Sequence, residues 1–116
     1  MTIKLKRAYE APDKTDGARL LVERLWPRGL TKEKAAVDEW FKEVSPTPEL
    51  RKWYNHDPAK WPEFRRRYVA ELKANRGEVE RLWARVQKGP VTFIYAAKDE
   101  ERNSAAVLKE YLERLA

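Results

Sequence analysis

The side chains with which this chain could do chemistry fall at three places. The first is Glu23-Arg24-Leu25-Trp26-Pro27-Arg28-Gly29, a carboxylate and two guanidiniums around a turn; the second is Lys98-Asp99 with Asn103; the third is His56, in Asn55-His56-Asp57-Pro58. Trp26 precedes a proline and is pushed toward an extended backbone, and Gly29 takes a positive φ without strain, which sets Arg28 at the apex of a bend. A guanidinium held there offers a rigid fork of donors suited to phosphate or carboxylate. It could equally pack on Trp26 or pair with a nearby acid to fix the turn. His56 is the one imidazole and admits two roles: an acid or base oriented by Asp57, or a partner for the last carbonyls of a helix. Glu23, Arg24 and Asp99 are either a catalytic group or an ion-pair network at strand ends.

Composition narrows the chemistry. The chain has no cysteine and one histidine, which excludes a thiol nucleophile, thiolate metal sites and three-histidine metal sites. Its 116 residues make one domain. No run approaches membrane-spanning length and the first seven residues lack the apolar core of a signal peptide, so the expectation is no membrane association and a cytoplasmic location. A formal charge of +6 favours anionic partners, although the signs are interspersed except at Arg65-Arg66-Arg67. A run of that kind is either a solvated helix face or a nucleic-acid contact. The five tryptophans suit an aromatic core, and any excess near Trp61 or Trp83 suggests a homodimer face.

The elements that must position these groups read as follows. Ile3 to Tyr9 is a first strand, Glu10 to Gly17 a loop, and Leu20 to Leu25 a second strand running to the proline. The loop is too short for a parallel crossover between neighbours, so these two strands are antiparallel or not adjacent. Thr31 caps a helix with Glu33 in its first turn, and Val37, Trp40, Phe41 and Val44 recur at helical spacing; their β-branched and aromatic density also allows a strand from Val37 to Val44. Pro48 to Tyr54 is a short helix capped by Thr47, and Asp57 caps the segment opened by Pro58. Apolar stripes at Trp61, Phe64, Tyr68, Leu72 and at Val79, Leu82, Trp83, Val86 mark two amphipathic helices about a bend at Asn75-Arg76-Gly77, closed by Lys88-Gly89-Pro90. Val91 to Ala97 is apolar almost throughout and reads as the central strand, followed by a polar loop and a last helix carrying Ala105, Leu108, Leu112 and Leu115. The loop then lies at a strand's carboxyl end, where open α/β sheets bind ligands, and this makes Lys98, Asp99 and Asn103 candidates; capping of the last helix is the simpler role for Asp99 or Asn103.

Lys6-Arg7-Ala8-Tyr9, Leu21 to Leu30, Trp40-Phe41-Lys42-Glu43, Leu50 to Pro58, Phe64 to Tyr68 and Tyr95-Ala96-Ala97-Lys98-Asp99 with Asn103 resemble the pattern of the small YeaO-like family. The resemblance runs nearly the whole chain, and Arg-Leu-Trp-Pro-Arg-Gly is its most specific motif. It implies an α/β fold and brings no substrate, cofactor or reaction with it. Residue by residue it points to Arg24, Trp26, Pro27, Arg28, Gly29, Lys32, Arg51, His56, Lys98, Asp99 and Asn103. Glu23 stands where the family usually has aspartate, and Thr47 where it has serine. Ser104 stands where it usually has histidine, and a mechanism needing an imidazole then rests on His56 alone.

The expected architecture is a single α/β domain with a mostly parallel central sheet flanked by helices on both faces. The expected function is binding of a small anionic ligand, phosphorylated ones included, at the carboxyl ends of the strands, with hydrolase or transferase chemistry as an extension. Arg24, Arg28, Lys32, Arg51, Lys98, Asn103 and Trp26 are its binding candidates; Asp99, His56 and Glu23 are its acid–base candidates; no metal or other cofactor is called for. The convergence of Arg24, Arg28, Lys98 and Asp99 in one pocket depends on parallel strand order. A nucleic-acid-binding module and a non-enzymatic interaction protein are the alternatives.

Overall fold

The computed structural model describes all 116 residues. Strands β1 (Ile3–Arg7) and β2 (Ala18–Leu21) are followed by a one-turn helix α1 (Lys32–Ala35), a two-residue strand β3 (Glu39–Trp40) and helices α2 (Pro48–Tyr54), α3 (Trp61–Ala74) and α4 (Arg76–Val86). Strand β4 (Val91–Tyr95) and helix α5 (Ser104–Leu115) complete the chain. The sheet is parallel throughout, in the order β1-β4-β2-β3. All five residues of β4 are buried, as their continuous apolar run requires of a strand covered on both faces. Its one polar residue, Thr92, satisfies its hydroxyl on the Asp16 carbonyl at 2.6 Å. β1 and β2 are not adjacent, because β4 lies between them.

Three strands end earlier than their composition suggests, and in each case a side chain claims the backbone. β4 stops at Tyr95 rather than Ala97 where the Arg7 guanidinium takes the Ala97 carbonyl at 2.8 Å. β2 stops at Leu21 rather than Leu25: Val22 still donates to Ile94, but Glu23 turns its carboxylate onto the Ala96 N–H. β1 ends at Arg7, whose N–H goes to Glu10 at 2.8 Å. Val37 to Val44 forms no helix. Phe41 donates its N–H to Leu21, drawing Glu39–Trp40 onto the edge of β2, and a 3₁₀ turn over Lys42–Val44 follows. Phe41 and Val44 are buried while Trp40 is left partly outside.

The helices divide unevenly between the two faces. Ile3, Leu20, Val22, Val91, Phe93 and Tyr95 form the main core with Leu50 of α2, Phe64, Tyr68 and Leu72 of α3, Leu82 of α4 and Leu108 and Leu112 of α5. On the opposite face Ala8, Leu21 and Ile94 meet only Trp26, Leu30 and Val37. That thinner layer is closed by a buried ion pair: Arg19 holds Asp16 at 2.6 Å and the Ala35 carbonyl of α1 at 2.8 Å, with Lys6 on Asp16 at 3.1 Å. None of the five tryptophans is fully buried; Trp53, Trp61 and Trp83 pack on the rim of the main core.

Candidate functional site

Parallel order brings the carboxyl ends of the strands to one edge, and Glu23 stands at its middle. Its carboxylate accepts the Ala96 N–H of the β4 exit at 3.1 Å, and its carbonyl accepts the Trp40 indole N–H at 2.6 Å, so one residue ties together the ends of β2, β3 and β4. Burial pushes the Glu23 carboxyl above its ordinary range, against the Ala96 hydrogen bond and the nearby charges of Arg51 and His56. Arg51 belongs to α2, which Thr47 caps and Pro48 opens, and lies close enough to Glu23 for its charge to act on that carboxylate. α2 closes with Asn55 and His56 both in the left-handed region, at φ 46° and 54°, and His56 is left exposed.

The loop after β4 is held by its own backbone. The Asp99 carboxylate accepts the N–H groups of Glu101 at 2.9 Å and Arg102 at 2.8 Å, which hold its pKa below the usual range. Asn103 is buried; it caps α5 by accepting the Ala106 N–H at 2.8 Å and donates to the Asp99 carbonyl at 3.0 Å. Tyr54, at the end of α2, has its hydroxyl pKa raised by burial and then by the charge of Asp99, with Arg102 opposing. Glu23 with Arg51 and His56, and Tyr54 with Asp99 and Arg102, are thus two groups of charges, bridged where the Tyr54 and His56 rings lie 6.4 Å apart.

The remaining candidates are spread around it. Arg24 is taken up by the segment after β3: its guanidinium holds Glu43 at 3.1 Å and the Ser45 carbonyl at 3.0 Å, its Nε is buried without a partner, and it lines a cleft of about 400 Å³ with Thr47, Tyr68, Glu71 and Asn75. Trp26 gives its N–H to the Leu30 carbonyl at 2.8 Å and packs edge-on against Trp40. Lys32 is exposed in α1. Arg28 is exposed on its loop, and its carbonyl accepts the Tyr9 hydroxyl at 3.1 Å just beyond β1. The basic run of α3 is internally paired: Arg65 with Glu110 at 2.6 Å, and Arg66 and Arg67 with Glu63 at 2.6 and 2.8 Å. Hydrogen bonds from Arg66 and Arg67 take the Glu63 carboxyl down to about 2. Tyr54, Arg102 and Arg7 are not among the residues that the sequence singles out, although Arg7 is an arginine at the carboxyl end of a strand. No group of three or more His, Cys, Asp or Glu is placed to hold a metal ion, and no helix is long and apolar enough to cross a membrane.

These features define a small parallel α/β domain with a polar carboxyl edge and no metal-binding cluster. The chain belongs to the DUF488-N3i family, described as the inactive DUF488-N3 subclade, which matches residues 2–116. It is 43% identical over 115 residues to the uncharacterized protein YeaO of Escherichia coli K12, covering 99% of this chain and all of that one. It is 41% identical over 112 residues to the uncharacterized proteins Rv3073c of Mycobacterium tuberculosis H37Rv and Mb3100c of Mycobacterium bovis, covering 95% of this chain and 92% of each relative. No solved structure matches it significantly.

Proposed function

We propose that this chain is a binding domain that holds a small anion, a phosphate or carboxylate group, at the carboxyl edge of its sheet without turning it over. One observation carries the reading. Apart from Arg76, every arginine away from this edge holds a carboxylate: Arg19 with Asp16, Arg65 and Arg114 with Glu110, Arg66 and Arg67 with Glu63, Arg81 with Glu78, and Arg85 with Glu39. At the edge Arg24 holds Glu43, but Arg7, Arg28, Arg51 and Arg102 form no ion pair, and Glu23 and Asp99, the acids beside Arg51 and Arg102, are engaged by backbone N–H groups. Uncompensated guanidiniums repel one another, and an anion relieves them with bidentate hydrogen bonds. Binding without turnover fits the family's description as inactive and the serine at position 104. Anion binding to the folded state alone raises apparent stability. A saturable rise in Tm with phosphate or citrate at constant ionic strength, lost in Arg28→Met/Arg51→Met, is the expected result; a rise that chloride reproduces at the same ionic strength, or that the double variant retains, refutes it.

A further inference from the structure

The chain's exposed large apolar side chains are Met1 and Leu115 at the termini and three others, Tyr9, Leu25 and Trp40, at 45%, 64% and 37% exposure. Each of the three lies at the carboxyl end of a strand: Tyr9 just past β1, Leu25 past β2, and Trp40 at the end of β3. Scattered apolar exposure is ordinary, but its concentration at one edge, beside unpaired arginines, is the composition of a binding surface. Trp40 is the most informative. Its N–H is fixed on the Glu23 carbonyl at 2.6 Å, its ring meets Trp26 at 5.6 Å, and the Lys42 ammonium sits 4.4 Å from its centroid. A ring held by three contacts yet more than a third exposed is a preorganised stacking platform, and its N–H is bonded to Glu23, which stands at the middle of the same edge.

We infer that the anion carries a planar aromatic group, as a nucleotide does, whose base stacks on Trp40 beside Leu25 while its phosphate meets the cations of the edge. This rests on the anion-binding reading and adds the ligand's class to it. Stacking tolerates any base, because every base has a π-face, and Lys42 is placed to follow the phosphate when a base displaces it from the ring.

The test is calorimetric titration at constant ionic strength with inorganic phosphate, ribose 5-phosphate, AMP and UMP. AMP and UMP should bind roughly five- to a hundred-fold more tightly than ribose 5-phosphate. Trp40→Ala should bring AMP to the level of ribose 5-phosphate, and Trp40→Phe should retain most of the gain. Leu25→Ser, at a site too exposed to threaten folding, should weaken AMP several-fold and leave ribose 5-phosphate unchanged. An oligoadenylate separates the two sources of this chemistry: affinity equal to AMP indicates free nucleotide, and tighter binding indicates a strand. If ribose 5-phosphate binds as tightly as AMP, the aromatic inference falls and the anion reading stands. If none of the probes binds, both fall.

Discussion

Replacing Asp16 by alanine tests the polar layer that closes the thin face of the sheet. The Asp16 and Arg19 side chains are each 5% exposed and 2.6 Å apart. The substitution removes the acceptor for Arg19, for Lys6 and for the Asp13 N–H, while Arg19 stays anchored to the Ala35 and Ala36 carbonyls. An uncompensated buried charge costs about 3–5 kcal/mol, against a total of roughly 6–17 kcal/mol for a domain of this length. At about 4 °C per kcal/mol, Tm should fall by about 12–20 °C, and the denaturation midpoint should fall with an unchanged slope. Asp16→Asn keeps one acceptor and should cost less, and Arg19→Met added to it should restore part of the loss. The acid limb gives a second readout. Burial alone pushes the Asp16 carboxyl up, but hydrogen bonds from Asp13, Lys6 and Arg19 outweigh it and hold the folded value below the unfolded one. Its stabilisation is therefore complete above the ordinary aspartate range and lost as pH falls through the depressed folded value, so the difference between wild type and Asp16→Asn should shrink on acidification. A loss below about 1 kcal/mol in Asp16→Ala, or a double variant less stable than Asp16→Asn alone, would refute the reasoning.

Other substitutions probe the frame around the site. Glu23→Gln keeps an acceptor for the Ala96 N–H and removes a charge whose folded pKa is raised, chiefly by burial. It should stabilise the protein at neutral pH, with the gain vanishing as pH falls below the unfolded glutamate range; stability profiles of both proteins check the sign. Asn103→Ala removes the α5 cap and should cost about 1 kcal/mol in urea denaturation while leaving phosphate affinity within about two-fold. In Gly17→Ala the new Cβ lies 2.3 Å from the Pro90 carbonyl oxygen at a φ of +65°, so about 2 kcal/mol or more should be lost. Wild-type thermal stability in that variant would show that the β2–β4 approach relaxes freely.

Short-range chemistry was legible in the sequence. Thr31, Thr47, Asp57 and Asn103 cap the segments they precede, because a cap needs only a side-chain oxygen and an N–H two or three residues on. Val91 to Tyr95 was legible as the buried strand, because a run with no polar face has nowhere to lie but between two covered faces. The tertiary structure alone decided the partners of the charges. Glu23 finds an N–H at a separation of 73 residues, and Arg24 finds Glu43 at a separation of 19, so two adjacent side chains of the same motif are sent to different places. Trp40 had the spacing of a helix face, but the free edge of β2 drew its segment into the sheet and left the ring at the surface. Local spacing records which face a side chain shares with its near neighbours; strand order determines which distant carboxylates and carbonyls come within reach, and so which arginines stay unpaired.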